Sequence, residues 1–271
     1  MTNIKFLKMH GLGNDFVIID NREHVLNLSS SLIKRLSNRR RGIGFDQLIT
    51  METSKTNADV KMRIYNSDGS EVGACGNAAR CIGRLVMDEK NNTQLEIEAM
   101  DRVLLATRFN DLISVNMGQV AIDWRDIPLS EEMDTTSLNI NEGILENPVA
   151  VNVGNPHMVF FVKNINEIDL EFIGPKLEHH SFFPKKTNVE IAQIISSDKI
   201  RVRVWERGAG ITEACGSGAC AVLVAAVRRN LSDGRAEIEL DGGALKIEWQ
   251  NDNSILMTGP TELSFSGSFS L

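Results

Sequence analysis

Two cysteines, 140 residues apart, occupy the same position in a repeated sequence pattern. Cys75 ends one copy, in which RIYN at 63–66 is followed by eight residues and then Cys-Gly-Asn. Cys215 ends the other copy, in which RVWE at 203–206 is followed by eight residues and then Cys-Gly-Ser. A cysteine thiolate is reactive and exchanges protons readily. Two matched thiols in an internal repeat therefore suggest chemistry that reaches one substrate from two sides.

An apolar segment follows each cysteine and predicts a buried helix, at 76–89 and at 216–230. The free N–H groups of a helix start bind anions and lower the pKa of an adjacent thiol. The glycines Gly76 and Gly216 allow the backbone to approach a ligand closely. A carboxylate bound at either helix start would therefore present its α-carbon to the sulfur.

This arrangement suits racemisation, which needs a base on one face of a stereocentre and an acid on the other. If the two halves face each other across a pseudo-two-fold axis, both helix starts meet at one cleft. Their N–H groups would stabilise the carbanion as its charge spreads onto the carboxylate. Chemistry of this kind needs no cofactor when that stabilisation suffices.

Other readings of the cysteines and glycines are less favoured. Cys81 and Cys220 lie inside the predicted helices and are interpreted as small core side chains. Zinc is disfavoured, because the Cys-x5-Cys and Cys-x4-Cys spacings are too long and the five histidines are scattered. The Gly11-Leu12-Gly13 segment lacks the third glycine of a nucleotide-binding loop. We therefore expect no metal and no nucleotide cofactor.

The elements that must position the thiols also follow the repeat. Three pairs of polar residues recur at offsets of 140 or 141, namely Asn14 with Asn155, Gln47 with Asn188, and Asn66 with Glu206. Both halves are predicted to be mixed α/β. The predicted strands are 16–20, 60–65, 94–98, 112–116, 159–163, 200–205 and 236–240, and a further helix is predicted at 30–38. A polar segment at 125–147 is interpreted as lying near the crossover between the halves.

Composition restricts the class of protein. The net charge of −7 argues against nucleic-acid binding, and the basic residues 39–41 are interpreted as a solvated helix end. The longest apolar run, 219–227, is about half of what a membrane-spanning helix needs. The N-terminal residues show no secretion signal. Four cysteines in an unsecreted chain are interpreted as free thiols, so we expect a cytoplasmic protein.

Five motifs in order resemble those of diaminopimelate epimerase, and the resemblance spans nearly the whole chain. The motifs are His10-Gly11-Leu12-Gly13-Asn14-Asp15-Phe16, Gly42-Ile43-Gly44-Phe45-Asp46-Gln47, Asn66-Ser67-Asp68-Gly69-Ser70-Glu71 running to Cys75-Gly76-Asn77, Gly154-Asn155-Pro156-His157, and Glu206-Arg207-Gly208-Ala209-Gly210 running to Cys215-Gly216-Ser217-Gly218-Ala219-Cys220. There are two departures. Ala78 stands where the family usually has Gly, and Ile211 stands at a commonly acidic position.

The resemblance implies an α/β fold of two pseudo-symmetric halves, each a β-barrel-like mixed sheet around a central helix. The first half would be 1–118, completed by the C-terminal strand 263–271, and the second would be 119–262. The implied reaction is cofactor-independent interconversion of L,L- and meso-diaminopimelate in lysine and peptidoglycan precursor synthesis. A homodimer is also implied.

The resemblance further implies roles for particular residues. Cys75 would take the α-proton from the L centre while Cys215 donates to the opposite face, and the reverse reaction exchanges these roles. Backbone amides around Gly76-Asn77 and Gly216-Ser217 would hold the reacting carboxylate. The remaining substrate-binding residues would be Asn14, Gln47, Asn66, Asn155, Asn188, Glu206 and Arg207. Chemically, the Arg207 fork suits the second carboxylate at the far end of a diamino diacid, and Glu206 suits the ammonium group there.

Four alternatives remain open on the sequence. The nearest is a racemase or epimerase of proline, hydroxyproline or histidine on the same fold, which would keep both thiols but would not need the charges of Glu206 and Arg207. An isomerase or dehydratase on this fold would be indicated by loss of one thiol, and neither is lost. A catalytically inactive amino-acid-binding protein and a thiol-based redox sensor are the alternatives from other classes.

Overall fold

The computed structural model describes residues 3–23, 26–73, 75–100 and 102–271. It divides into two compact units. Unit 1 comprises the residues up to Val115 together with Gly259–Leu271, and unit 2 comprises Asn116–Thr258. The unit boundaries predicted from the sequence lie after residues 118 and 262. These are three and four residues further along the chain than the boundaries in the structure.

The described residues of unit 1 form eight strands and two helices in the first part of the chain, and one strand from the end of the chain joins them. In chain order these are β1 (Asn3–Gly11), β2 (Asn14–Asp20), α1 (Ser30–Ser37), β3 (Gln47–Glu52), β4 (Val60–Asn66), β5 (Glu71–Val72), α2 (Gly76–Lys90), β6 (Gln94–Glu98), β7 (Val103–Phe109) and β8 (Leu112–Gln119), the last of which continues into unit 2.

Unit 2 contains ten strands, two helices and a short 3-10 turn at Ile165–Glu167. In chain order the strands and helices are β9 (Asn141–Glu142), β10 (Leu145–Glu146), β11 (Val149–Asn152), β12 (Pro156–Phe161), α3 (Leu170–Glu178), β13 (Asn188–Ser196), β14 (Lys199–Glu206), β15 (Gly210–Thr212), α4 (Gly216–Arg228), β16 (Arg235–Leu240), β17 (Gly243–Trp249) and β18 (Ser254–Gly259). The last strand of the chain, β19 (Glu262–Ser270), pairs antiparallel with β1 in unit 1.

The two units share one sheet topology. In unit 1, β2–β3 and β4–β6 are parallel, whereas β1–β2, β3–β4, β6–β7 and β7–β8 are antiparallel. In unit 2, β12–β13 and β14–β16 are parallel, whereas β11–β12, β13–β14, β16–β17 and β17–β18 are antiparallel. The register repeats as well, because Phe16 faces Gln47 and, 141 residues later, His157 faces Asn188. The predicted duplication is confirmed.

Each sheet wraps around one central helix. In unit 1, α2 packs against β1, β4, β6 and β7; in unit 2, α4 packs against β11, β12, β13, β14, β16 and β17. Ile82 and Val86 of α2, and Val222 and Leu223 of α4, are completely buried. An apolar helix surrounded by strands hides its sides, so only its ends are left for function. The predicted mixed α/β fold with central helices is confirmed, and no helix in the described part of the chain is long and apolar enough to cross a membrane.

Helix α3 was not predicted. It contains Gly174 and Pro175, two residues that normally indicate the end of a helix. The helix tolerates them because Gly174 packs directly against the indole of Trp205, where a side chain would not fit. Asp169 also caps the helix start by accepting a hydrogen bond from the backbone N–H of Phe172 at 3.1 Å. Tertiary packing thus overrides the local signal.

Truncation of the central helix core is expected to be costly. Leu223→Ala should lower the free energy of unfolding by about 2–5 kcal/mol, because the surrounding strands cannot collapse onto the cavity. Ile195→Ala, at an exposed position of β13, should change it by no more than about 0.5 kcal/mol. Urea denaturation of both variants measures this, and similar losses in the two would contradict the described core.

Candidate active site

Cys75 is placed at the N-terminus of the unit 1 helix. It is the capping residue of α2 and has an extended backbone, with φ −136° and ψ 116°. The half-buried thiol therefore lies beside the first N–H groups of the helix. Its Sγ donates to Oδ1 of Asn14 at 3.7 Å. The structure thus brings together two residues that the sequence placed 61 positions apart.

The Asn14 amide is held in one orientation beside this thiol. Its Oδ1 accepts a hydrogen bond from Asn77 Nδ2 at 3.1 Å, and its Nδ2 donates to Asp46 Oδ2 at 3.0 Å. Asn77 is buried in the first turn of α2. Because Asp46 can only accept, the carbonyl end of the Asn14 amide faces the thiol.

A network of charges supports that orientation. The buried Lys8 ammonium donates to Asp15 and to the Gly44 carbonyl. Arg39 binds Asp15 through two nitrogens at 2.7 and 2.8 Å, and it also donates to Asp46 at 2.8 Å. Burial alone would raise the pKa of Asp15, but the hydrogen bonds from Arg39 and Lys8 outweigh it and lower that pKa to about 2. The Asp15 carboxylate thus stays ionised and fixes the loop that carries Asn14.

Two further predicted residues, Gln47 and Asn66, also meet in unit 1. They are register partners on β3 and β4, and Gln47 Nε2 donates to Asn66 Oδ1 at 3.1 Å. Asn66 Nδ2 in turn donates to Ser70 Oγ at 3.2 Å. Gln47 Oε1 is buried and accepts no hydrogen bond from the described residues, so it can accept one from a bound ligand.

Cys215 occupies the matching position in unit 2. It caps α4 with φ −107° and ψ 108°, and its Sγ accepts a hydrogen bond from the Gly218 N–H at 3.3 Å. The Ser217 hydroxyl lies 3.5 Å from the same sulfur. Unlike Cys75, this residue is only 4% exposed. The first turn of α4 therefore surrounds the thiol with donors in a site largely withdrawn from water.

The expected lowering of the thiol pKa is wrong for Cys215. Burial raises the pKa of this thiol well above 9, and the nearby carboxyl groups of Glu206 and Glu190 raise it further. The hydrogen bonds from Ser217 and Gly218 act in the opposite direction but are weaker. The helix start alone predicted a thiolate, whereas desolvation and two acidic neighbours favour the protonated thiol.

Glu206 is itself shifted by the same surroundings. Burial raises the pKa of its carboxyl group, while hydrogen bonds from Thr212 and Cys215 lower it in part. The Thr212 hydroxyl donates to Glu206 Oε1 at 2.5 Å. The Glu206 side chain thus lies directly beside the Cys215 thiol.

A buried His–Glu pair underlies the predicted residue Asn155. His157 and Glu190 are both completely buried, with His157 Nδ1 and Glu190 Oε1 2.6 Å apart. His157 Nε2 lies 2.9 Å from Asn155 Oδ1 and so orients that amide. Sequence reasoning missed Glu190. The available signal was a charged residue in an otherwise apolar strand, because Glu190 follows Val189 and precedes Ile191.

Asn188 and Arg207 complete the unit 2 half-site. Asn188 Nδ2 donates to the Pro156 carbonyl at 2.9 Å, and its Oδ1 accepts from the Arg207 backbone N–H at 2.9 Å. The Arg207 side chain is exposed and donates to the Lys185 carbonyl at 3.0 Å. One buried asparagine therefore ties the loop that carries Glu206 and Arg207 to the strand pair β12–β13.

The predicted residues thus form one cluster in each unit. Gly76 and Gly216 are the first residues of α2 and α4, and both are buried beside their thiols. Among the described residues there is no group of three His, Cys, Asp or Glu side chains suited to a metal ion. Each cluster provides a thiol, helix N–H groups for an anion, and oriented amides.

Solved structures share this fold. A phenazine biosynthesis protein of the PhzF family from Bacillus anthracis matches with a TM-score of 0.72 and 16% identity over 100% of both chains. A hydroxyproline epimerase from Agrobacterium vitis matches with a TM-score of 0.69 and 12% identity, over 99% of this chain and 93% of the other. At such low identity these likenesses concern the fold alone. They show that the chain shares the fold of these two proteins.

Relatives in sequence identify the family to which the chain belongs. The family model of diaminopimelate epimerase matches residues 6–122 and 149–264. A diaminopimelate epimerase from Rhodospirillum centenum is 48% identical over 98% of this chain and 92% of its own length. One from Acidiphilium cryptum is 49% identical, over 97% and 95%. The chain belongs to the diaminopimelate epimerase family and is an isomerase.

The charge network around Asp15 is expected to contribute stability that depends on pH. Because the pKa of Asp15 is lower in the folded state than its usual 3.8, its stabilisation is present above that value and is lost as the pH falls towards 2. Asp15→Asn should therefore cost about 2 kcal/mol at pH 7 and less at pH 3. Urea unfolding at both pH values measures this, with the exposed Asp111→Asn as the control. An equal loss at both pH values would contradict the assignment.

Removal of the Glu206 charge is expected to make Cys215 more reactive. A carboxylate beside a thiol disfavours the thiolate, so Glu206→Gln should lower the pKa of Cys215. The comparison is made between Cys75→Ala and Cys75→Ala/Glu206→Gln, with iodoacetamide alkylation of Cys215 followed against pH by mass spectrometry. The double variant should react faster at pH 8 and reach its half-maximal rate at a lower pH. An unchanged or higher midpoint would refute the proposed influence of Glu206.

Proposed function

We propose that this isomerase interconverts L,L- and meso-diaminopimelate by proton transfer between Cys75 and Cys215, without a cofactor. The observation that carries the proposal is the presence of a thiol at the start of each central helix, in a chain that belongs to the diaminopimelate epimerase family. Matched thiols supply the base and the acid that inversion of a stereocentre requires.

The protonated state of Cys215 favours a first step in which Cys75 is the base and Cys215 is the acid. Since burial and neighbouring carboxyl groups keep Cys215 protonated, it serves as the acid. A Cys75 thiolate takes the α-proton of the L centre, and the electron pair of the broken C–H bond spreads onto the α-carboxylate. Cys215 then gives its proton to the opposite face of the α-carbon. The products are a Cys75 thiol, a Cys215 thiolate and the inverted centre, from which the reverse reaction can start.

The helix starts stabilise the charge that develops in this step. The backbone amides at Gly76, Asn77, Gly216 and Ser217 are assigned to the reacting carboxylate. Because fixed N–H dipoles need little reorganisation, they favour the enediolate-like transition state over the ground state. This is the source of carbanion stabilisation in a mechanism without a cofactor.

The remaining polar side chains are assigned to the rest of the substrate. The exposed guanidinium of Arg207 suits the distal carboxylate, because its planar fork binds carboxylates through two hydrogen bonds. Glu206 is assigned to an ammonium group, and its contact with Cys215 favours the one at the reacting centre. The amides of Asn14, Gln47, Asn66, Asn155 and Asn188 are assigned to further polar contacts.

The second candidate is a racemase or epimerase of proline or hydroxyproline type. It is supported by the shared fold of the Agrobacterium vitis hydroxyproline epimerase. The exposed charge of Arg207 argues against it, because a proline ring carries no distal carboxylate.

We also propose a cytoplasmic location, which is supported by the finding that none of the described cysteines forms a disulfide. Exposed apolar residues on β19, including Leu263 and Phe265, support the homodimer that we also propose.

Deuterium exchange at the α-carbon tests the function. In D2O the protein should introduce deuterium into L,L-diaminopimelate and not into L-proline, L-hydroxyproline or L-histidine, as measured by NMR. Exchange into proline or hydroxyproline instead would favour the second candidate. No exchange into any of these amino acids would refute the proposed activity.

Substitution of single thiols tests the mechanism. Cys75→Ala and Cys215→Ala should each reduce epimerisation by about a thousandfold or more, because each removes one proton-transfer group. Cys220→Ala, at a buried thiol inside α4, should keep the rate within about threefold of the wild type and serves as the control. Substantial activity in either of the first two variants would exclude the two-base mechanism.

A further inference from the structure

Glu178, the last residue of α3, is a buried carboxylate. Only 4% of the residue is exposed. Its Oε2 accepts a hydrogen bond from Trp205 Nε1 at 2.8 Å, and its Oε1 accepts one from the Gly208 backbone N–H at 3.2 Å. The Lys186 ammonium lies 3.8 Å from Oε1. A buried carboxylate is costly unless it is hydrogen-bonded in this way, and an apolar side chain would fill the space at lower cost.

The two hydrogen-bond donors flank the residues assigned to the substrate. Trp205 precedes Glu206 and Arg207, and Gly208 follows them. The Arg207 N–H between these donors is bound by Asn188. Gly208 has a left-handed backbone, with φ +78°, which turns the chain at this point. Side-chain acceptors therefore hold the backbone on both sides of the Arg207 side chain.

The packing of α3 brings Glu178 within hydrogen-bonding distance of Trp205 and Gly208. A Cβ atom at Gly174 would lie 2.4 Å from the indole ring of Trp205, so α3 rests on that ring without an intervening side chain. Trp205 is on β14, which ends at Glu206. Glu178, Gly174 and Trp205 thus link helix α3 to the end of this strand.

Unit 1 has a weaker counterpart of the same link. Ser37, 141 residues before Glu178, is likewise the last residue of its helix, and its hydroxyl donates to the Ser67 carbonyl at 3.1 Å. Ser67 follows Asn66 as Arg207 follows Glu206. Both units therefore tie the turn after the fourth strand of the repeat to the end of a helix. In unit 2 the helix end contributes a buried carboxylate, whereas in unit 1 it contributes a serine hydroxyl. The unit 2 turn carries the charged pair Glu206 and Arg207, which the unit 1 turn replaces with Asn66 and Ser67.

We infer that Glu178 is a positioning residue for substrate recognition. It holds the backbone from Trp205 to Gly208 so that Arg207 meets the distal carboxylate of the substrate at the correct angle. The inference rests on the proposed function for the identity of that carboxylate. Glu178 itself touches neither thiol among the hydrogen bonds described, so it acts through the loop and not on the proton.

The main test is Glu178→Gln, which keeps the size of the side chain but leaves one of the two donors facing an NH2 group. Because charge-assisted hydrogen bonds are lost in this variant, we expect KM for L,L-diaminopimelate to rise about tenfold, while kcat stays within about threefold of the wild type. Glu171→Gln removes an equal charge from an exposed position of the same helix and should keep the wild-type KM. Wild-type KM in a folded Glu178→Gln variant overturns the inference, as does a fall in kcat without a change in KM.

A double-mutant cycle with Arg207→Lys separates positioning from general stabilisation. If Glu178 acts through Arg207, the two substitutions together should raise KM by clearly less than the product of their separate effects. Independent, multiplicative effects overturn the inference. A purely structural role would change thermal stability while leaving KM unaltered, and that result also overturns it.

A second variant covers the possibility that Glu178→Gln fails to fold. Trp205→Phe removes one donor and retains an aromatic ring, and it should raise KM about threefold. Wild-type KM in this variant overturns the inference. Deuterium exchange by the wild-type protein is measured first. If the wild type does not exchange the α-proton of diaminopimelate, the proposed function fails, whereas an active wild type with unaffected variants refutes only the role of Glu178.

Discussion

The structure depends on one constraint: each central helix must be buried along its sides and still present its first N–H groups to a ligand. Strands surround the sides of α2 and α4, so the backbone N–H groups that remain available for a substrate are those at the helix starts. A residue at the cap position lies next to these donors whatever its side chain is. Cys75 and Cys215 both occupy that position with an extended backbone. The thiol and the first N–H groups of the helix are therefore brought together by the same local geometry.

The two caps share a backbone but differ in charge. The Cys75 thiol donates to the amide of Asn14, which in turn binds Asn77 and Asp46. Around Cys215 the neighbours are carboxyl groups, in a site that is almost closed to water. Electrostatic repulsion and desolvation both oppose a thiolate at Cys215. A duplicated fold can thus place two chemically identical groups in different electrostatic surroundings.

Charged groups behind each cluster keep the polar side chains in place. In unit 1, Lys8, Asp15 and Arg39 hold the strand end that carries Asn14. In unit 2, Glu190 orients His157, and Glu178 holds the turn that contains Arg207. Such groups are costly to desolvate, so their value lies in fixed geometry more than in net stability. A small misplacement of a binding group is enough to weaken recognition of a substrate.

The amino-acid sequence by itself determined the duplication, the two thiols and the helices that begin beside them, because each follows from local spacing and apolar periodicity. It also predicted most polar residues of the two clusters, since they recur at a constant offset. The tertiary structure alone decided that the pKa of Cys215 is raised, because burial and the side-chain proximity of Glu206 and Glu190 depend on how the strands pack around α4. It also decided the existence of α3 and the role of Glu178, since Gly174 and Pro175 oppose a helix locally and α3 packs directly against Trp205.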